Sequence, residues 1–177
     1  RRHDPVDPAQ VEYMKALYDA EIRALDDGLK ALMEGLAQRG LLENTAVFIT
    51  ADHGEEFREH GGFDHGLTLF EEVVRVPLLV HYPARFGPRR IATRVETLDF
   101  FATALELAGL PRPENVDSTS LVAAMEGKGD PADDTAYSEL LSRAAEKGGD
   151  EPHQQAFYSG DRKLIEVHPS FPRLGSG

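Results

Sequence analysis

The chain has 177 residues, with 31 Asp and Glu against 19 Lys and Arg and a formal net charge of −12. That balance argues against a nucleic-acid partner, since a polyphosphate is bound through a basic face that displaces its counterions. The longest apolar runs, such as Val76-Pro77-Leu78-Leu79-Val80, fall far short of the roughly 20 residues that cross a bilayer as a helix, and the absence of cysteine removes disulfides, thiolate metal sites and a Cys nucleophile from this stretch.

Asp7-Pro8-Ala9-Gln10 carries the signals of a helix start, with Asp7 as N-cap, Pro8 in the first turn and Gln10 where a capping box places its reciprocal acceptor. Val11, Met14, Leu17, Tyr18, Ile22, Leu25, Leu29, Leu32, Met33 and Leu36 then recur at spacings of three and four until Gly40. This predicts a long helix whose apolar stripe covers a core. A short turn over Leu41-Leu42-Glu43-Asn44 leads into Thr45-Ala46-Val47-Phe48-Ile49-Thr50. This run has no polar alternation, as expected of a strand buried on both faces, and its place after a long helix suggests a parallel sheet.

Leu78-Leu79-Val80-His81-Tyr82 is a second candidate strand, and Leu98 to Ala108 repeats the helical pattern before Gly109 and Pro111. Helix, strand, loop, strand and helix in that order predict an α/β fold, a partial doubly wound sheet with flanking helices. After Pro111 the composition changes. Gln155–Tyr158 and Lys163–Val167 flank Ser159-Gly160-Asp161-Arg162, which reads as a hairpin turn. Residues 1–125 are therefore expected to form the main α/β part and residues 126–177 a small, incomplete antiparallel β appendage. The chain opens Arg1-Arg2-His3 with no initiator Met and closes Leu174-Gly175-Ser176-Gly177, so it is expected to be a piece of a longer protein.

From Asp52 to His65, eight of 14 residues are Asp, Glu or His, and three of the seven histidines fall in this window. Open α/β sheets take their ligands beyond the carboxyl ends of their strands, which is where Asp52 and His53 stand. A carboxylate oxygen and an imidazole nitrogen both suit a divalent cation. The pair can face one ion only if the strand has ended, and Gly54 allows the backbone to turn there. Glu55, Glu56 and Glu59 are not expected to take part, being at the wrong distance and too exposed. The same composition also fits a solvated acidic loop with Asp52 as a cap.

An ordered set of motifs surrounds the pair: Tyr18-Asp19-Ala20-Glu21-Ile22-Arg23-Ala24-Leu25-Asp26, Glu43-Asn44-Thr45, Thr50-Ala51-Asp52-His53-Gly54-Glu55-Glu56-Phe57, Glu59-His60-Gly61, His65-Gly66, Leu69-Phe70-Glu71-Glu72, Arg75-Val76-Pro77-Leu78, Thr97-Leu98-Asp99 and Leu105-Glu106-Leu107-Ala108-Gly109, reaching Lys163-Leu164-Ile165. Together they resemble the C-terminal half of the catalytic region of a sulfatase, a family of the alkaline phosphatase superfamily. The resemblance implies an alkaline-phosphatase-like α/β fold, here truncated, and a metal-dependent sulfuric ester hydrolase acting on a small-molecule or glycan sulfate ester.

Residue by residue, the resemblance implies that Asp52 and His53 bind one divalent metal ion, Ca²⁺ by the hardness of its usual ligands, with Mn²⁺ or Mg²⁺ as alternatives. His65 matches a position that contacts the sulfate oxygens or the leaving group, and His60 lies in a recurring Glu-His-Gly element with a structural role. The family's nucleophile is a formylglycine made from a Cys/Ser-x-Pro-x-Arg motif, and two more Asp ligands come from further upstream. Neither is in this chain. Ser170-Phe171-Pro172-Arg173 has its Arg one place too early, and His3 is in too common a context to assign. The chain alone is thus expected to be inactive. Phosphonate monoester or phosphodiester hydrolases, and phosphoglycerol or phosphoethanolamine transferases, of the same superfamily remain alternatives. So does an inactive fragment. Many members of the family are periplasmic or secreted.

Overall fold

A computed structural model describes residues 7–129, 134–140 and 153–168. His3 and the Ser170–Arg173 near-match lie outside these residues. Helix α1 runs Pro8–Gln38, and the Asp7 side chain caps it by accepting from the Ala9 amide at 3.0 Å. It ends as the glycine signal requires. Gly40 adopts φ +67°, and the Leu41 amide reaches back to the Leu36 carbonyl at 3.0 Å, the reverse turn that only a residue free of a Cβ penalty makes cheaply. Among the described residues the stripe is not covered. No α1 residue is buried, and Leu17, Ile22, Leu25 and Leu32 are each at least half exposed. Its contacts include Tyr18 edge-on to Phe57, 5.4 Å between ring centres, and Lys15 3.7 Å from Glu59.

A short 3₁₀ turn, Leu42–Asn44, leads into β1, Val47–Thr50. Then come β2 (Glu56–Phe57), β3 (Phe63–Asp64), α2 (Glu71–Val74), β4 (Leu78–His81), α3 (Asp99–Leu107) and α4 (Val122–Met125). Strands β1 and β4 pair with Val47 opposite His81 and Thr50 opposite Leu78, so they are antiparallel. This corrects the parallel pairing expected for these two strands. An apolar run reports burial but not direction, whereas a parallel pair needs a full crossover. The intervening segment instead folds into the β2–β3 hairpin and the short α2, which return the chain beside β1 in the opposite sense. Burial is also less complete than expected, with Val47, Phe48 and Ile49 half-buried and Thr50 exposed.

Helix α3 packs Phe100 edge-on to Phe48 at 4.6 Å. Its first residue, Asp99, is buried and accepts from the amides of Glu96 at 3.0 Å and Thr119 at 2.8 Å. Thr103, fully buried one turn on, donates to the Asp99 carbonyl and accepts from the Leu121 amide at 2.9 Å. These bonds satisfy the polar groups that close α3 against α4, whose Val122 and Ala124 belong to the core with Leu69, Val73 and Ala102.

Strands β5 (Thr135–Leu140), β6 (His153–Ser159) and β7 (Arg162–His168) form an antiparallel meander in the order β5-β6-β7. The two-residue turn between β6 and β7 begins with Gly160 at φ +56°, the position where a type II′ hairpin turn calls for glycine. The sheet is tied to α2 through Glu71, which accepts from Tyr158 Oη and Lys163 Nζ, each at 2.8 Å. Burial alone would raise the Glu71 pKa, but these two donors outweigh it and hold the carboxyl below its ordinary value. Gln154 Nε2 donates to the Leu67 carbonyl at 2.7 Å, and Arg94 donates to the carbonyls of Asp134 and Gly160. No helix among the described residues is long and apolar enough to cross a membrane.

Candidate active site

Strand β1 ends at Thr50, and Asp52 and His53 stand just beyond it. The turn is pinned from below. The Gly54 amide donates to the Val73 carbonyl at 2.6 Å, and a Cβ on Gly54 would lie 2.1 Å from the Glu72 carbonyl oxygen. Glycine is needed there because the backbone of α2 occupies the space, not because the φ angle is unusual. Gly54→Ala is therefore expected to destabilise the protein by about 3 kcal/mol, at the upper end of overpacking costs because neither side of the clash is a flexible side chain. Denaturant unfolding checks this, and an unchanged midpoint would show that the turn relaxes freely.

Asp52 projects its carboxylate into solvent, 89% exposed, and its Oδ1 accepts from the His53 amide at 3.0 Å. His53 Nδ1 lies 2.9 Å from the Gly54 carbonyl. A carbonyl only accepts, so Nδ1 must carry the ring proton. In the neutral ring the lone pair is then on Nε2, which lies 3.7 Å from Asp52 Oδ2. The two donor atoms are thus close enough to share one ion, and the Gly54 carbonyl supplies the outer hydrogen bond that metal-binding histidines ordinarily make through their other nitrogen.

His65 is brought here by the β2–β3 hairpin, in which Glu56 faces Asp64 and Phe57 faces Phe63. Glu56 is buried, contrary to the expectation that it would be too exposed to matter. Its Oε1 accepts from the amides of His60 at 3.2 Å and Gly62 at 2.6 Å, closing the hairpin loop from inside. His60 Nδ1 lies 2.6 Å from Glu72 Oε1 and its ring stacks on Phe70 at 3.9 Å, a clamp between the hairpin and α2. Asp64 adopts φ +78°, a left-handed conformation that Asp tolerates better than most residues, and its Oδ1 accepts from the His65 amide at 2.9 Å. The His65 ring then stacks on His53 at 3.9 Å with 23° between the planes.

His65 Nδ1 lies 3.1 Å from Glu55 Oε2 and 3.0 Å from Asp64 Oδ1. Its pKa is raised above the ordinary histidine value, first by the hydrogen bond to Glu55, against some desolvation, and further by the charges of Glu55, Asp64 and Asp52. Glu55 is not expected at the site from the sequence, yet it is one of the two carboxylates, with Asp64, that approach His65 Nδ1. Donor atoms of Glu55, Asp64 and His65 all lie within 4.8 Å of one another, so this trio could itself hold a cation. The site thus contains two juxtaposed donor sets, Asp52 with His53 and Glu55 with Asp64, joined by the stacked rings. A groove of about 1020 Å³ lies elsewhere, beside β4, lined among others by Leu79, His81, Arg89, Leu121 and Met125 and by none of the site residues.

The arrangement of helices and strands around this strand end recurs in solved structures. Over 97% of this chain the backbone matches the phosphonate monoester hydrolase of Silicibacter pomeroyi with a TM-score of 0.80 at 22% identity, covering 36% of that chain. It also matches BT4656, solved in complex with its substrate D-glucosamine-2-N,6-O-disulfate, with a TM-score of 0.66 at 29% identity over 81% of this chain and 29% of the other. The Sulfatase family model matches residues 2–110, and the chain belongs to the sulfatase family. Among curated relatives, arylsulfatase K of Bos taurus is 33% identical over 64% of this chain and 21% of its own length. The N-acetylglucosamine-6-O-sulfatase of Bacteroides thetaiotaomicron is 33% identical over 69% of this chain and 22% of its own. The chain spans about a fifth of the length of these relatives.

Proposed function

We propose that this chain is the C-terminal part of the catalytic region of a sulfuric ester hydrolase, in which Asp52 and His53 hold one divalent metal ion and His65 contacts the sulfate ester. The observation that supports it most is the convergence of Asp52 Oδ2 and His53 Nε2 beside the stacked ring of His65, at the end of β1. The donors fit a divalent ion: a charged oxygen and an imidazole nitrogen whose other nitrogen is occupied by the Gly54 carbonyl. Oxygen-rich ligation with the family's further carboxylates favours Ca²⁺, with Mn²⁺ and Mg²⁺ the alternatives. When bound, such an ion supplies positive charge to the sulfate oxygens and to the nucleophile. His65, biased toward its protonated form by Glu55, offers a donor to the ester's leaving oxygen as charge develops there. The nucleophile is expected to be a formylglycine outside this chain, and the substrate a small-molecule or glycan sulfate ester. Likeness to the phosphonate monoester hydrolase concerns the fold alone, whereas the relatives above 30% identity are named sulfatases.

Turnover of 4-nitrophenyl sulfate by the whole protein tests the reading. Activity should be abolished by a chelator and restored by adding back Ca²⁺ or Mn²⁺. A protein that instead turns over 4-nitrophenyl phosphonates and leaves every sulfate ester intact would move the reading to phosphoryl chemistry.

A further inference from the structure

Glu55 follows the Asp52-His53-Gly54 turn directly, and its two carboxylate oxygens have different surroundings. Oε2 lies 3.1 Å from His65 Nδ1. Oε1 is buried and has no hydrogen-bond partner among the described residues. The side chain is only 21% exposed. Holding a carboxylate with one oxygen desolvated and unpaired is unfavourable, and the one hydrogen bond that Glu55 makes among the described residues runs to a histidine in the site. Asp64 also approaches Nδ1, at 3.0 Å, but it is 72% exposed and its same oxygen already accepts the His65 amide. Glu55 is the more rigid of the two acceptors.

An oxygen acceptor at Nδ1 requires a proton there, and in the protonated ring this leaves the second proton, on Nε2, free to meet a substrate. His53 supports the same ring from one face at 3.9 Å. We propose that Glu55 is a positioning residue for sulfate ester cleavage, fixing the His65 ring through Nδ1 so that Nε2 is presented to the leaving oxygen. This rests on the reading of His65 as the substrate-contacting group, and it assigns Glu55 no direct contact with substrate or metal.

The test compares Glu55→Ala, Glu55→Gln and His65→Ala in the whole protein. Glu55→Ala should lower kcat about 10- to 100-fold, the usual effect of removing an orienting partner, with KM and metal content nearly unchanged. The loss should be larger for phenyl sulfate than for 4-nitrophenyl sulfate, whose better leaving group needs less help. Glu55→Gln, which keeps an oxygen acceptor, should recover most of the rate, and Glu55→Ala should cost nothing further in a His65→Ala background. Loss of metal from Glu55→Ala would overturn the proposal by making Glu55 a ligand, and an equal cost with and without His65 would reduce it to a structural role.

A readout independent of turnover comes from ¹⁵N-histidine labelling. The His65 Nδ1 should show a hydrogen-bonded proton in the parent protein, and that signature should weaken in Glu55→Ala, where only the exposed Asp64 remains to accept it. If the signature is unchanged, the positioning role is wrong whatever the activity. If the signature weakens in a protein that cleaves no sulfate ester, the positioning contact stands and the sulfatase reading fails instead.

Discussion

His65→Ala is expected to lower kcat for sulfate ester hydrolysis by the whole protein about 10²- to 10⁴-fold, the range for removing a positioned general acid or base, while leaving the metal content near that of the parent. The expectation follows from where the ring sits. It stacks on His53, so it borders the proposed metal pair, and its Nδ1 is taken up by Glu55 and Asp64. A group so placed can reach an ester oxygen held beside the ion without ligating the ion. Glu55, Asp64 and Asp52 all favour its protonated form, which is the form that can donate to a departing oxygen. The variant should therefore suffer most with poor leaving groups. Metal analysis alongside kinetics separates the roles, since coordinate loss of metal and activity would make His65 a ligand within the Glu55–Asp64–His65 trio.

Asp52→Ala should have an effect at least as large, through a different route. Its carboxylate is almost wholly solvent-exposed and makes no hydrogen bond or ion pair beyond the neighbouring His53 among the described residues, so its removal should leave folding intact. What is lost is one of the two donor atoms that converge at the end of β1. Metal should fall well below one equivalent after gel filtration, and kcat should drop about 10³-fold or more, because a bound cation contributes several kcal/mol of charge stabilisation and each 1.36 kcal/mol is a factor of ten. Elemental analysis with thermal melting checks this. A variant that melts normally but keeps a full equivalent of metal would place the ion elsewhere.

The residues of this candidate site differ in how far the sequence announces them. Asp52 and His53 stand out because an apolar run ends at Thr50 and two ligand types follow at once. The place of His65 is implied by family resemblance and not by spacing, since the β2–β3 hairpin is what folds a residue so far along the chain back onto His53. The four carboxylates between them could not be sorted by composition. In the structure Glu55 turns to His65 while Glu56, the first residue of β2, is buried beneath the hairpin loop. At Gly54 the structure adds a steric reason for glycine, the Glu72 carbonyl, a tertiary neighbour that no local pattern announces.

The larger fold divides in the same way. Helices α1 and α3 and the β6–β7 hairpin appear where periodicity and turn residues place them, with α3 starting at Asp99 and ending before Gly109. Strand direction was not encoded in the apolar run of β1, and the pairing with β4 proved antiparallel. The stripe on α1 signals a helix with a face suited to burial, but periodicity does not say what covers it, and among the described residues that face is largely exposed.

The most direct test of the account is anomalous diffraction from crystals of the whole protein grown with Mn²⁺. A single anomalous peak bound by Asp52 Oδ2 and His53 Nε2, with His65 nearby but not ligating, is the predicted result. A peak held instead by Glu55, Asp64 and His65, with Asp52 free in solvent, would contradict the assignment of both the metal pair and the substrate-contacting histidine.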